Sequence, residues 1–312
     1  KLKKYSTYYK EQQMESHGFF TIATGDEQYY KMAHNLLRSY RHFTKNPLPF
    51  AILCDRENEY TSGFDDVRII PNAHRSYLDK LEVFDRLPYD INIFIDSDCI
   101  AYGDLNRLFG LFEEADDFCC FGRALPLDDK TGWFEYENLG ELRAKVDYVV
   151  DLHGGIYYIR KTEKAKLVLD DAKRFAEEYT EYKFKGKFAT PGDEPVVALS
   201  MAVNHCKPIP HDLQAILCYW EYEGKMRLNF PKGEAKTKDG TIKTDLLHWG
   251  TRFTRTELYK KQIKELNCLE NGGGSTCLLL IDIKYGVIFA LQAAARFVKR
   301  AWNKGLLILH LK

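Results

Sequence analysis

Ile91-Asn92-Ile93-Phe94-Ile95-Asp96-Ser97-Asp98 is the stretch on which the reading of this chain turns. Its first five residues are mostly apolar and β-branched, which predicts a buried strand. Two carboxylates follow where that strand emerges. Unpaired buried charge is expensive, so such a pair normally serves a cation or a partner. Oxygen ligands with room left for substrate phosphates suit magnesium or manganese. Taken alone, Asp-x-Asp reads equally well as two aspartates capping a turn. The rest of the chain has to decide between the two.

Upstream, positions 19–23, 50–54 and 67–70 read as strands, with helical periodicity over 28–43 and 77–87. Strands alternating with helices predict an α/β fold with a mixed, mostly parallel sheet flanked by helices. In such sheets ligands bind beyond the carboxyl ends of the strands, where Asp96 and Asp98 fall. Downstream, the polar, aromatic stretch 125–148 is long for a connection and reads as a substrate-facing loop. Gly154-Gly155 turns into a strand over 151–160, and glycines there permit close backbone approach to a ligand. A charged helix is expected over 162–183. Pro191-Gly192-Asp193-Glu194 opens a helix over 195–203, with the acids favourable at its N-terminus. Leu246 to Gly250 reads as a short strand ending in a turn, and 271–275 as a glycine-rich linker.

Lys plus Arg equals Asp plus Glu, at 45 each. This balance gives no attraction to a polyanion, so no nucleic-acid partner is expected. The eight cysteines form no C-x-x-C pair, which argues against a structural zinc site. They read as free thiols in a reducing compartment, with disulfide pairing the lesser reading. Lys1-Leu2-Lys3-Lys4-Tyr5 lacks an apolar core, so no secretory signal is read, although an upstream anchor stays open. The expected location is cytoplasmic, with peripheral membrane contact through 278–312. That tail carries six basic residues against the single acid Asp282. Ile288, Leu291, Ala295, Val298 and Trp302 repeat at helical spacing from Val287, opposite Gln292, Arg296, Lys299, Arg300 and Asn303. The apolar part reads as too short and interrupted to span a bilayer. A basic amphipathic helix on an anionic membrane and a helix packed on its own domain weigh equally. The expected partition is an extension over 1–17, a catalytic domain over 18–268, a linker over 269–277 and the tail.

Four stretches carry candidate chemistry. Phe20-Thr21-Ile22-Ala23-Thr24-Gly25-Asp26 is followed by Tyr29. Lys80-Leu81 stands sixteen positions before Asp96. Leu152-His153-Gly154-Gly155-Ile156 precedes Gly192-Asp193-Glu194, and Leu247-His248-Trp249-Gly250 comes last. In this order, from about 19 to 250, the chain resembles the GT-A-fold glycosyltransferases of family 8, of the glycogenin-like and lipopolysaccharide types. The resemblance implies a GT-A, Rossmann-like fold with a C-terminal helical tail. It implies Ile22 and Thr24 near a uracil with Tyr29 stacked on it, Tyr30 competing for that role. Lys80 would reach the phosphates or sugar, with Ser97 also at the donor. His153 and Gly154 would face the donor sugar, where the family has Asn-Ser-Gly. Asp193 and Glu194 match a Gly-Asp-Gln segment that binds the sugar or flanks its anomeric carbon, so with Lys80 they are the catalytic candidates. His248 would complete a metal site with Asp96 and Asp98, holding Mn2+ or Mg2+. The implied reaction moves a sugar from a nucleotide sugar, UDP-linked, to a hydroxyl of a glycan, lipid or protein, with retention. Thr251-Arg252-Phe253 stands where the family continues Lys-Pro-Trp.

The bland readings are a packed tyrosine, a solvated lysine, acids decorating a helix start and a structural histidine. Two other classes compete. One is a transferase-like fold kept as an inactive binding module. The other is a haloacid-dehalogenase-type phosphatase. The latter carries D-x-D on its first strand with Thr or Val soon after, whereas three strands come earlier here and Cys99-Ile100 follows.

Overall fold

The computed structural model describes residues 15–184 and 192–309. The expected N-terminal extension up to residue 14, together with Pro191 and Lys312, lies outside the described residues. The strands are β1 His17–Ala23, β2 Phe50–Cys54, β3 Asp66–Ile69, β4 Ile91–Ile95, β5 Cys99–Ala101, β6 Phe118–Leu125, β7 Val149–Arg160, β8 Leu217–Cys218, β9 Met226–Asn229, β10 Glu234–Thr237, β11 Lys243–Thr244 and β12 Leu246–His248. The α-helices are α1 Glu27–Phe43, α2 Leu108–Leu111, α3 Glu163–Glu177, α4 Asp193–Val203, α5 Glu257–Glu270 and α6 Ser275–Leu309. The chain divides into two compact units whose segments interleave in sequence.

The first unit takes the chain up to Gly25, then Leu48–Ile95 and Leu111–His211. It holds a six-stranded sheet in the order β3-β2-β1-β4-β7-β6. β3, β2, β1 and β4 run parallel, and β7 pairs antiparallel with both β4 and β6. This is the mixed, mostly parallel sheet the alternation predicts. All of β2 is buried, as are four of the five residues of β4, so the sheet is covered on both faces and its strands read as continuous apolar runs. α3 and α4 pack on one another, and α4 packs on β7, around a core that includes Phe20, Leu53, Phe94, Ile159 and Val197.

The second unit takes Asp26–Pro47, Asp96–Gly110 and Asp212 onward. It has two three-stranded sheets, β5-β12-β8 and β11-β10-β9, around Ile100, Tyr102, Leu247, Trp249 and Leu266. Asp26 caps α1 by accepting from the Gln28 amide at 2.9 Å. α1 is joined to β5 by Ser39, whose hydroxyl donates to Leu36 O and accepts from the Ala101 amide.

Several expectations need correction. Positions 77–87 form two short 3-10 turns, Tyr77–Leu81 and Phe84–Arg86, in place of one helix. The charged helix stops at Glu177. The loop expected over 125–148 contains 3-10 turns at Tyr136–Asn138 and Gly140–Lys145, and the Trp133 indole donates to Leu152 O. Cys268 and Cys277 are disulfide-bonded, so the reading of eight free thiols fails for that pair; the other six are free and buried. The tail is one continuous helix starting at Ser275, and its segment Ser275–Lys299 is long and apolar enough to cross a membrane. By length and composition this corrects the expectation that the apolar part is too short to span a bilayer, because apolar residues begin in the first turns of the helix, well before Val287.

Candidate active site

In the second unit, strand pairing assembles the expected metal ligands. β12 runs antiparallel to β5 with His248 opposite Cys99, and the Trp249 amide donates to Asp98 O at 3.2 Å. This register sets the imidazole beside the residue that precedes β5. His248 Nε2 lies 3.0 Å from Asp98 Oδ1 and 3.6 Å from Asp96 Oδ2. Asp98 and His248 are buried, Ser97 lies buried between the aspartates, and Asp96 is half-buried. The Thr251 hydroxyl donates to Asp98 Oδ2 at 3.3 Å. The Trp220 ring meets the imidazole edge-on at 4.8 Å. Gly250 has φ +71, and a Cβ there would come within 3.1 Å of that ring.

Ligand atoms of Asp98, Cys99 and His248 lie within 4.8 Å of one another. Two carboxylates and an imidazole form a donor set that fits manganese or magnesium, whereas a thiolate would favour a softer ion. Asp96 lies outside that close grouping, its Oδ2 3.6 Å from His248 Nε2, and the three expected ligands share the imidazole as their common neighbour. Tyr29 lies in α1 of this unit and is half-buried, while Tyr30 is fully buried in the core. Of the two competing tyrosines, only Tyr29 has ring surface to offer a base.

In the first unit a second cluster forms around Asp193 at the start of α4. Lys80 Nζ lies 3.0 Å from Asp193 Oδ2 and donates to Gly154 O at 3.2 Å. The ammonium sits 5.2 Å from the Phe94 ring centroid and 5.8 Å from that of Tyr157. The Tyr157 hydroxyl donates to the same Asp193 oxygen at 2.8 Å. Burial, and then the negative charges of Asp193 and Glu194, push the Tyr157 phenol far above its ordinary value, so it stays a donor. Glu194 accepts from the Gly154 amide at 2.8 Å. A Cβ on Gly154 would meet Glu194 Cγ at 2.7 Å, Tyr157 OH at 3.0 Å and Asp193 Oδ2 at 3.1 Å. Glycine there is what lets β7 run so close to the acids. His153 is half-buried, its Nδ1 accepts from the Gly155 amide at 3.2 Å, and its ring stacks on His211 at 5.7 Å. An accepting Nδ1 leaves the N–H on Nε2.

Asp79 precedes Lys80 and is 1 % exposed. It accepts from the Thr24 hydroxyl at 2.6 Å and from the amides of His74 and Arg75. That fixes the turn from which Lys80 projects. It also engages the Thr24 hydroxyl within the protein. Ile22 packs, partly buried, against the core. Tyr157, Trp220 and Asp79 escaped the sequence reading. The first two look like ordinary strand and loop aromatics, and the signal for Asp79 is the nearby Ser76, a capping residue type whose hydroxyl accepts from the Leu78 amide.

No family model matches the chain, and no curated protein matches it. Solved structures do match. An active-site mutant of LgtC is 11% identical, with 80% of this chain and 95% of that one covered, at a TM-score of 0.51. The LgtC galactosyltransferase in complex with donor and acceptor sugar analogs is 12% identical, covering 80% and 94%, at 0.49. Mouse xyloside xylosyltransferase 1, apo form, is 11% identical, covering 76% and 99%, at 0.44. At these identities the LgtC likeness establishes the fold: a GT-A glycosyltransferase fold of the kind the family 8 resemblance implies.

Proposed function

We propose that this protein is a metal-dependent glycosyltransferase using a nucleoside diphosphate sugar, UDP-linked, as donor and a hydroxyl of a glycan, lipid or protein as acceptor. The observation that carries the reading is the β5–β12 register, which brings His248 Nε2 to 3.0 Å from Asp98 and 3.6 Å from Asp96 on a GT-A fold. A divalent cation held by these three residues supplies Lewis-acid stabilisation of the diphosphate leaving group.

The chain's own residues account for the remaining steps. Tyr29 offers a ring face for the base. Lys80 is mostly buried on the turn that Asp79 fixes, and the family resemblance assigns its charge to the donor's phosphates or sugar. Lys80 and Tyr157 orient the Asp193 carboxylate by meeting one oxygen. Asp193 and Glu194 favour positive charge as it develops at the anomeric carbon. His153 presents a donor N–H to the sugar in place of the family's asparagine amide. The acceptor hydroxyl approaches along 125–148, and the family resemblance favours retention.

The reading is tested by thermal shift with a panel of UDP- and GDP-sugars, each with manganese and with chelator. At least one UDP-sugar is expected to raise the melting temperature only when the ion is present. Absence of any ion-dependent shift across the panel would count against both donor class and metal dependence.

A further inference from the structure

Helix α6 shows a two-sidedness that its own domain does not use. Its first turns are fastened to α5 by the Cys268–Cys277 disulfide and by the Lys261–Asp282 ion pair at 2.9 Å. Tyr285, 3 % exposed, lies among Glu257, Lys260, Lys261 and Glu265 of α5. Leu280, Ile283, Val287, Leu291, Val298 and Trp302 are 55% to 70% exposed. At about 100° per residue these six fall within an arc of about 100°, directed away from Asp282 and Tyr285. The side that docks on α5 is thus opposite the apolar stripe, and packing on the domain leaves the stripe bare.

Charge decides what covers it. Lys284 borders the stripe, while Arg296 lies opposite and Lys299 on the flank; all three are exposed. The one acid, Asp282, is already neutralised by Lys261. An apolar stripe bordered on one side by Lys284 and Lys299 and widened on the other by exposed Leu279 and Phe297 is complementary to a surface with anionic headgroups above hydrocarbon. Length decides the orientation. Although Ser275–Lys299 is long enough to cross, its first turns are fixed to α5 and Lys284 and Arg296 bracket only residues 285–295 as an uncharged run. That run is roughly 16 Å long at about 1.5 Å per residue, about half of the ~30 Å hydrocarbon thickness.

We infer that α6 is an interfacial membrane-docking helix, lying in the plane of an anionic bilayer with its stripe buried and α5 on the aqueous side. The inference stands apart from the catalytic reading, and its test needs no activity. Full-length protein is sedimented with vesicles of phosphatidylcholine alone or with one third phosphatidylglycerol. A second sample carries Val287→Glu with Leu291→Glu, both exposed positions at which folding, checked by circular dichroism, should be unchanged. The wild type is expected to partition about tenfold more strongly to the anionic vesicles, the variant to lose most of that, and 0.5 M salt to weaken it. Equal partition to both vesicles, or a variant that pellets like the wild type, would overturn the inference. So would resistance to alkaline carbonate in membranes of producing cells, which marks a spanning helix. A wild-type dimer in sedimentation velocity that ignores vesicles and becomes monomeric in the variant would assign the stripe to a second copy of the chain instead.

Discussion

Gly154 is the residue at which backbone and chemistry meet most tightly. Gly154→Ala places a methyl within 2.7 Å of Glu194 Cγ and 3.1 Å of Asp193 Oδ2. Turnover is expected to fall at least about a hundredfold, on the scale of losing one aligned electrostatic group, and overpacking of the buried strand is expected to cost about 1–3 kcal/mol in stability. Steady-state kinetics beside urea unfolding separates the two, and unimpaired turnover would show that the acids need no such approach. Lys80→Met keeps the bulk and removes the charge, so kcat is expected to drop about 10²–10³-fold with a smaller change in KM. At this scale much was legible. Asp96, Asp98 and His248 were expected together, and the structure brings His248 Nε2 within 3.6 Å of both aspartates, while Lys80 meets the expected Asp193. Tyr157 was not legible, because an aromatic in a strand reads as core until the carboxylate beside its hydroxyl is seen. The bond from the Thr24 hydroxyl to Asp79 was not legible either, since only the fold brings the two together.

The elements show why some pieces could be read and others not. β1, β2 and β4 are buried on both faces, and their apolar runs announce themselves. β5 and β12 have three residues each, too short for any periodicity, yet their pairing builds the candidate metal site. The turns at 77–87 carry apolar residues at helix-like spacing, but Ser76 and Asp79 draw the local amides into tighter bonds and Pro88 closes the segment. Asn92 anchors β4. It is fully buried, donates to Tyr89 O and Ile159 O, and accepts from the Tyr89 amide. Asn92→Ala leaves those groups unpaired and is expected to cost about 2–3 kcal/mol in urea unfolding. A loss below about 0.5 kcal/mol would mean that the turn before β4 satisfies itself.

For the molecule as a whole, the fold class followed from alternation and was matched by the observed sheet. The interleaving of two units and the Cys268–Cys277 bond did not follow, since both depend on contacts distant in sequence or on a pairing no spacing reveals. The buried thiols carry a pH signature. Burial pushes Cys54 and Cys206 up to about 11 and Cys119 to about 12, from an ordinary 9.0. The folded state therefore holds these protons more tightly than the unfolded chain. Their contribution to stability is complete below pH 9.0 and is lost as the pH rises through about 11. The urea midpoint is expected to fall between pH 8.5 and pH 11, by less in Cys54→Ala; a flat profile would show that the thiols ionise without penalty. The whole reading converges on one cation. Calorimetric titration of UDP into the wild type and into Asp98→Ala, each with manganese and with chelator, tests it most directly. The expected result is wild-type binding that weakens at least about tenfold, ~1.4 kcal/mol, on chelation, and an Asp98→Ala protein indifferent to the ion. UDP binding that is equally tight with and without manganese, or an Asp98→Ala protein that binds like the wild type, would contradict the proposed function.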